Sequence, residues 1–161
     1  DAGQLELEHI PFDLGSLVED TANLLSQNAA PNVELTCLID PRFPSQVIGD
    51  PTRVRQIVSN LLSNALRYGA PATPVIISSL ATDDSLELTV HNQGEPIAAQ
   101  HLPRLFERFY RCDPSRNQPD DSGGLGLAIV RSIMQVHDGQ VTVDSGQSGT
   151  RFSLVFANRS A

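Results

Sequence analysis

The sequence predicts a two-layer α/β sandwich, in which a mixed, mostly antiparallel sheet is covered on one face by helices. Three observations carry this prediction. Apolar residues recur at helical spacing in separate long stretches. Between them lie short aliphatic and β-branched runs, joined mostly by tight polar or glycine turns, so that neighbouring strands pair as hairpins. The resulting order, α-β-α-ββ-α-α-ββ, gathers the helices against one side of a sheet. At 161 residues the chain has the size of one domain, which commonly runs to ~100–200 residues.

Residues 1–11 end in Ile10-Pro11, and a proline biases its predecessor away from helix, so these residues read as a leader and residues 12–161 as the domain. From Asp13, a good N-cap, Leu14, Leu17, Val18, Thr21, Leu24 and Leu25 recur at helical spacing until the breaker at 28–32. Residues 33–39 read as a buried strand, closed by Asp40-Pro41 and a proline-punctuated loop through Pro44. Asp50 caps the next helix and Pro51 takes its first position; it runs to Tyr68, where Gly69 and Pro71 stop it. Residues 75–80 and 86–90 are strands joined by the turn Thr82-Asp83-Asp84-Ser85. A short helical patch over 102–110 follows, then a polar stretch over 113–122 with Pro114 and Pro119 and no periodic pattern. Gly123-Gly124-Leu125-Gly126 opens a third long helix that ends near His137, with Gly139 as its stop. Its apolar residues occupy two sides, Leu125, Ile129, Ile133 and Val136 against Leu127, Val130 and Met134, which predicts a buried helix. Residues 140–143 and 150–156 form a last hairpin around Gly146 and Gly149.

Composition removes several function classes. Nineteen acidic residues against 11 basic ones leave a formal charge of −8, the wrong sign for a surface that neutralises nucleic-acid phosphates. All the basic residues are arginines. Without lysine there is no Walker loop, no strand lysine of eukaryotic-type protein kinases and no Schiff base. Phosphate must then be met by arginine, backbone amides or metal. Cys37 and Cys112 form no CxxC pair, which points away from a zinc ribbon or redox motif and toward a reducing compartment. With no apolar run of ~18 residues and no signal-peptide pattern at Asp1-Ala2-Gly3-Gln4, the segment reads as soluble, with no membrane contact of its own.

Four segments can carry chemistry. On the helix over 50–68, Val54, Ile57, Val58, Leu61, Leu62 and Ala65 make one apolar stripe, and Asn60, Asn64 and Arg67 fall along its edge. Asn64 is either an amide satisfied by backbone or water, or a neutral oxygen for Mg²⁺. Ser122-Gly123-Gly124-Leu125-Gly126-Leu127 runs into a helix start, which offers free amides and partial positive charge to a phosphate, although a turn or cap explains the glycines equally. Val90-His91-Asn92-Gln93-Gly94-Glu95-Pro96-Ile97 ends a strand in a glycine turn, where Asn92 either shapes the turn or reads an amino-substituted base. Arg104-Leu105-Phe106-Glu107-Arg108-Phe109-Tyr110-Arg111 fits a helix with one apolar and one solvated face, with or without a ligand. The histidines show no metal-site spacing, and no nucleophile elbow is present.

In this order and spacing the four segments resemble the N, G1, F and G2 boxes of the catalytic and ATP-binding domain of bacterial sensor histidine kinases. These belong to the wider family that includes gyrase, Hsp90 and MutL ATPase domains and share its Bergerat ATP-binding fold. The similarity covers residues 12–156. It implies catalytic roles for Asn60, Asn64 and Arg111, with Mg²⁺ on Asn64. It further implies that ATP is held by Asn64, Arg67, Tyr68, Asn92, Gly94, Ile97, Phe109, Gly124, Leu125, Gly126, Leu127 and Thr150, under a lid over residues 98–122. Asn92 stands where most members carry an aspartate that binds adenine, Pro96 replaces the second G1 glycine and Ser122 the first G2 glycine. The C-terminal half is similar to heavy-metal sensor kinases, and the N-terminal half to hybrid kinases.

The activity implied is transfer of the ATP γ-phosphoryl group to a histidine on a separate dimerisation domain of the same parent, preceded here by residues 1–11 as linker. None of the histidines in the chain has the acceptor context. A response regulator is the indirect partner, and the cytoplasmic side of a membrane-anchored sensor is the expected location. Hydrolytic relatives place a glutamate where Asn60 stands, and an amide cannot take a proton as a general base. A degenerate nucleotide-sensing module is the competing expectation, resting on Asn92, Pro96 and Ser122.

Overall fold

The computed structural model describes residues 7–27, 34–70, 72–107 and 126–157. Strand β1 (Ile10–Phe12) leads into helix α1 (Leu14–Gln27), followed by β2 (Leu35–Leu38), β3 (Val47–Gly49), α2 (Pro51–Tyr68), β4 (Val75–Ala81), β5 (Ser85–Asn92), a single 3₁₀ turn (Leu102–Arg104), α3 (Gly126–Val136), β6 (Gln140–Gly146) and β7 (Gly149–Ala157).

The strands β2-β4-β5-β7-β6 form one mixed sheet. Only β2 and β4 run parallel, and the other three pairings are antiparallel. Strict alternation along β4 and β5 buries one face. Ile77, Val90 and Phe152 sit in register across β4, β5 and β7 on that face, as do Ser79, Leu88 and Leu154. The expected two-layer α/β arrangement is therefore present.

Local chemistry explains the helix starts. The Asp13 carboxylate accepts the N–H of Ser16 at 2.9 Å and that of Asp50 accepts the N–H of Arg53 at 3.1 Å, each pairing a donor that the first turn leaves free. The predicted stripe of α2, from Val54 to Ala65, is buried in full. Each large aliphatic side chain so placed stabilises the fold by about 1.5–3 kcal/mol relative to exposure. Buried Thr21 in α1 donates to the Leu17 carbonyl at 2.7 Å, which makes a hydroxyl tolerable in that layer.

Several expectations change. Residues 10–12, read as the end of a leader and the start of the domain, pair antiparallel with β3, and this two-stranded ribbon lies outside the main sheet. Three-residue strands are too short to show an alternating pattern, so neither was visible in the sequence. The third helix buries Ala128, Val130, Ile133 and Met134, but Val136 is 42% exposed and Leu127 and Ile129 are half-buried. It packs against α2 on one side and β6 on another, and Arg131, Ser132, Gln135 and Val136 are exposed. Nor is Gly139 the left-handed residue that ends this helix. Asp138 takes that conformation (φ 58°); its N–H donates to the Gln135 carbonyl at 3.1 Å and the N–H of Gly139 to the Met134 carbonyl at 2.8 Å, a Schellman closure. Gly139 is needed for clearance, because a Cβ there would come within 2.8 Å of the Met134 methyl and 2.5 Å of the Val155 carbonyl oxygen. Of the helical patch expected over 102–110, the described part forms one 3₁₀ turn. Residues 108–110 and the polar stretch 113–122 lie outside the described residues.

Candidate functional site

Helix α2 positions the first group of side chains. Residues 60, 64 and 67 are separated by four and three positions, so they lie along one edge of the helix. The Asn60 amide donates to the Gly126 carbonyl at 3.3 Å, tying α2 to the first residue of α3. The side chain of half-buried Asn64, one turn on, makes no hydrogen bond to the described residues. Among the described residues a Cβ on Gly126 would meet nothing within 4 Å. At the end of α2 the Arg67 guanidinium lies 5.9 Å from the centre of the Tyr68 ring, which is 48% exposed. Such a stacked cation contributes about 0.5–1 kcal/mol at an exposed site.

The ends of β5 and β7 position the second group. Asn92 is 5% exposed and Thr150 is 4% exposed, and the two are paired across the strands. The Asn92 amide nitrogen donates to the Gln93 carbonyl at 3.2 Å. Its carbonyl oxygen accepts nothing from the described residues. Leaving such an acceptor buried and unpaired costs roughly 1–3 kcal/mol, so the site calls for a donor. Gly94 (φ 147°) turns the chain beneath the end of α2, where a Cβ would lie 3.0 Å from the Tyr68 carbonyl oxygen. The N–H of Ala70 donates to the Gln93 carbonyl at 2.7 Å and fixes this approach. Gly149 (φ 112°) does the same for β7, because any Cβ would collide with the Asn92 backbone oxygen.

Asn92, Gly94 and Thr150 thus stand at one end of the sheet, where Gly94 approaches the Tyr68 carbonyl and the Ile97 N–H bonds to β6, while Asn60 joins α2 to Gly126 at the start of α3; Asn64 lies one turn further along α2 and Leu127 directly follows Gly126. The two groups share α2. Phe109, Arg111, Gly124 and Leu125 lie outside the described residues.

The sequence reading missed Ser145. Its Oγ accepts the Ile97 N–H at 2.8 Å and lies 2.8 Å from the Thr150 hydroxyl. Alternation along β6 puts it on the same face as Val141 and Val143, and a hydroxyl at an inward position was the available signal.

A hollow of about 50 Å³ lies elsewhere, under the β1–β3 ribbon between Phe12, Leu14, Val54, His137 and Phe156. It contains none of these polar groups.

Residues 49–160 match the model of the histidine kinase-, DNA gyrase B- and HSP90-like ATPases. The chain belongs to this family. Among curated proteins it is 50% identical over 114 residues to the sensor histidine kinase CusS of Escherichia coli O157:H7, covering 71% of this chain and 24% of that protein. The chain therefore spans about a quarter of that relative's length. The mycobacterial sensor histidine kinase MprB superposes with a TM-score of 0.79 at 28% identity, over 95% of this chain and 99% of that structure. Full-length ShkA, solved in complex with AMPPNP, superposes with a TM-score of 0.81 at 29% identity, over 98% of this chain and 33% of that one. Within the ATPase family, the relatives are sensor histidine kinases and the matching part is their catalytic domain.

Proposed function

We propose that the chain is the ATP-binding catalytic domain of a sensor histidine kinase and passes the γ-phosphoryl group of ATP to a histidine on a separate dimerisation domain. The observation that carries this reading is the buried Asn92 side-chain carbonyl, unpaired among the described residues, packed at the end of the same helix that carries the Asn60–Asn64 edge. Asn92 accepts from the adenine amino group, with Thr150 and Ile97 flanking the base and Gly94 allowing close approach. Tyr68 and Arg67 border the ribose and phosphates. Asn64 would present its oxygen to Mg²⁺, and the ion would supply neutralisation of phosphate charge. Among the described residues no three of His, Cys, Asp and Glu converge. Gly126 and Leu127 contribute the helix start that faces the phosphates; the roles of Gly124, Leu125, Phe109 and Arg111 rest on the sequence resemblance.

Asn60 favours a protein acceptor over water, because its amide donates to Gly126 and cannot act as a base. The dimerisation domain and, through it, a response regulator are the partners. No helix of the described residues is long and apolar enough to cross a membrane, and the proposed location is cytoplasmic. Calorimetric titration with AMPPNP tests the reading. Binding that needs Mg²⁺ and is lost in Asn64→Ala supports it, as does labelling of a histidine on an added dimerisation domain. Nucleotide binding without transfer to any acceptor would favour the sensing module suggested by Asn92, Pro96 and Ser122; no binding at all would refute both.

A further inference from the structure

Asn92, Thr150 and Ser145 stand in one line across β5, β7 and β6, since Thr150 is the register partner of both. Ser145 closes the line at its outer end and also reaches across to the segment that leaves Gly94, where it takes the N–H of Ile97 at 2.8 Å. A hydroxyl has one hydrogen and two lone pairs. The Ile97 N–H occupies one lone pair of Ser145, and a single hydrogen lies on the 2.8 Å line between the Ser145 and Thr150 oxygens. Whichever residue supplies it, the Thr150 oxygen is held against Ser145, and Ile97 is tied through the same hydroxyl to the end of β7. Remove the Ser145 oxygen and two groups lose their partner together, a loop amide and a hydroxyl in a residue only 4% exposed.

We infer that Ser145 is a positioning residue for recognition of the base: it does not touch the nucleotide, but holds Thr150 and Ile97 in the geometry that lets the Asn92 carbonyl read an exocyclic amino group. This rests on the ATP-site reading above and deepens it. The physical effect is preorganisation, because a site whose rotors are already fixed loses less freedom when the ligand arrives. Its signature is base discrimination more than overall affinity.

The test compares ATP with inosine triphosphate, which carries the same ribose and phosphates but an oxygen in place of the amino group. Dissociation constants are measured with Mg²⁺ for the wild-type chain and for Ser145→Ala, Ser145→Cys, Ser145→Thr and Asn92→Ala. The wild type is expected to prefer ATP by about tenfold, the value of one hydrogen bond to a buried acceptor. Ser145→Ala should weaken ATP about tenfold while changing inosine triphosphate by less than about threefold, so that the preference collapses. Ser145→Thr, which keeps the oxygen, should restore it. Should Ser145→Ala fail to fold in a melting experiment, Ser145→Cys preserves the volume with a far weaker acceptor and should show the same collapse. An unchanged preference in the Ala or Cys variant, or equal weakening of both nucleotides, overturns the inference. A wild type that does not prefer ATP, or a preference that survives Asn92→Ala, overturns the assignment of Asn92 itself, and the role of Ser145 falls with it.

Discussion

The backbone N–H of Asp50 donates to Nε2 of His137 at 3.2 Å, joining the first turn of α2 to the last turn of α3. Because Nε2 accepts, the ring hydrogen is on Nδ1 and is donated to the Ile133 carbonyl at 2.9 Å, which fixes the neutral tautomer. The Asp50 carboxylate meanwhile accepts the N–H groups of Glu8 and Arg53, so the same junction holds the N-terminal segment. Burial would raise this carboxyl, but the N–H donors of Glu8, Arg53 and Thr52 outweigh it and hold it below the ordinary range. The start of α2 and the end of α3 are thereby indexed to each other, and the Asn60–Gly126 bond joins the same two helices further along.

Replacing His137 by alanine should therefore act on stability and not on nucleotide contacts. The change leaves a buried N–H unpaired, enlarges the adjoining hollow and removes the edge contact with the Phe156 ring at 6.3 Å. A loss of about 2–4 kcal/mol is expected. Urea unfolding measures it, and a loss smaller than about 0.5 kcal/mol, the noise of a surface change, would show that the bond contributes nothing.

Asp40 gives a pH dependence whose sign can be worked out. The N–H of Arg42, its guanidinium and the N–H of Ala81 hold the carboxyl down to about 2, against an ordinary 3.8. A group depressed in the folded state contributes stability that is fully present above its unfolded value and disappears as pH falls through its folded value. The contribution should then be complete above about pH 5 and vanish toward pH 2. Asp40→Asn should narrow its gap from the wild type over that window when urea midpoints are compared at successive pH values. A gap that stays constant from pH 5 to pH 2 would mean the carboxylate is not paired.

Two glycines at the two ends of the third helix, Gly126 as its first residue and Gly139 just past its last turn, separate space from function. Gly139→Ala puts a methyl against the Val155 carbonyl and the Met134 side chain and should cost about 2–3 kcal/mol, read from the urea midpoint. Gly126→Ala meets open space and should leave stability unchanged or slightly raised, since alanine is the better helix former by about 1 kcal/mol. If the backbone there faces phosphates, the same Gly126→Ala should still weaken AMPPNP by fivefold or more, about 1 kcal/mol. Unimpaired binding would remove Gly126 from the site.

Long elements were legible because periodicity repeats itself. The stripe Val54, Ile57, Val58, Leu61 and Leu62, the caps at Asp13 and Asp50 and the turn at Thr82 were all readable from spacing and residue type. What stayed hidden depends on pairing between distant segments. Ile10 opposite Gly49 is a tertiary fact with no local pattern. At the end of α3, Asp138 took the left-handed turn that glycine chemistry assigned to Gly139, because a clash with β7 and not backbone freedom required the glycine. In the site, Asn60, Asn64 and Asn92 were visible as residue types in context, whereas Ser145 acquires its role only when a hairpin sets it opposite Thr150 and a loop from 48 positions away brings Ile97.

Asn92 occupies the place of the family's usual aspartate, and restoring the charge tests what it meets. In Asn92→Asp the bond to the Gln93 carbonyl is lost and an oxygen faces an oxygen, at a residue only 5% exposed. Stability should fall by about 1–2 kcal/mol. A carboxylate accepts an amino hydrogen about twice as strongly as a neutral carbonyl does, so ATP should bind about 3–10-fold more tightly once the fold is intact. Inosine triphosphate, which presents an oxygen at that place, should bind more weakly, and its separation from ATP should widen. Titration of both nucleotides against both proteins decides the matter: if the substitution weakens ATP, or tightens the two nucleotides alike, position 92 is not facing the amino group of the base.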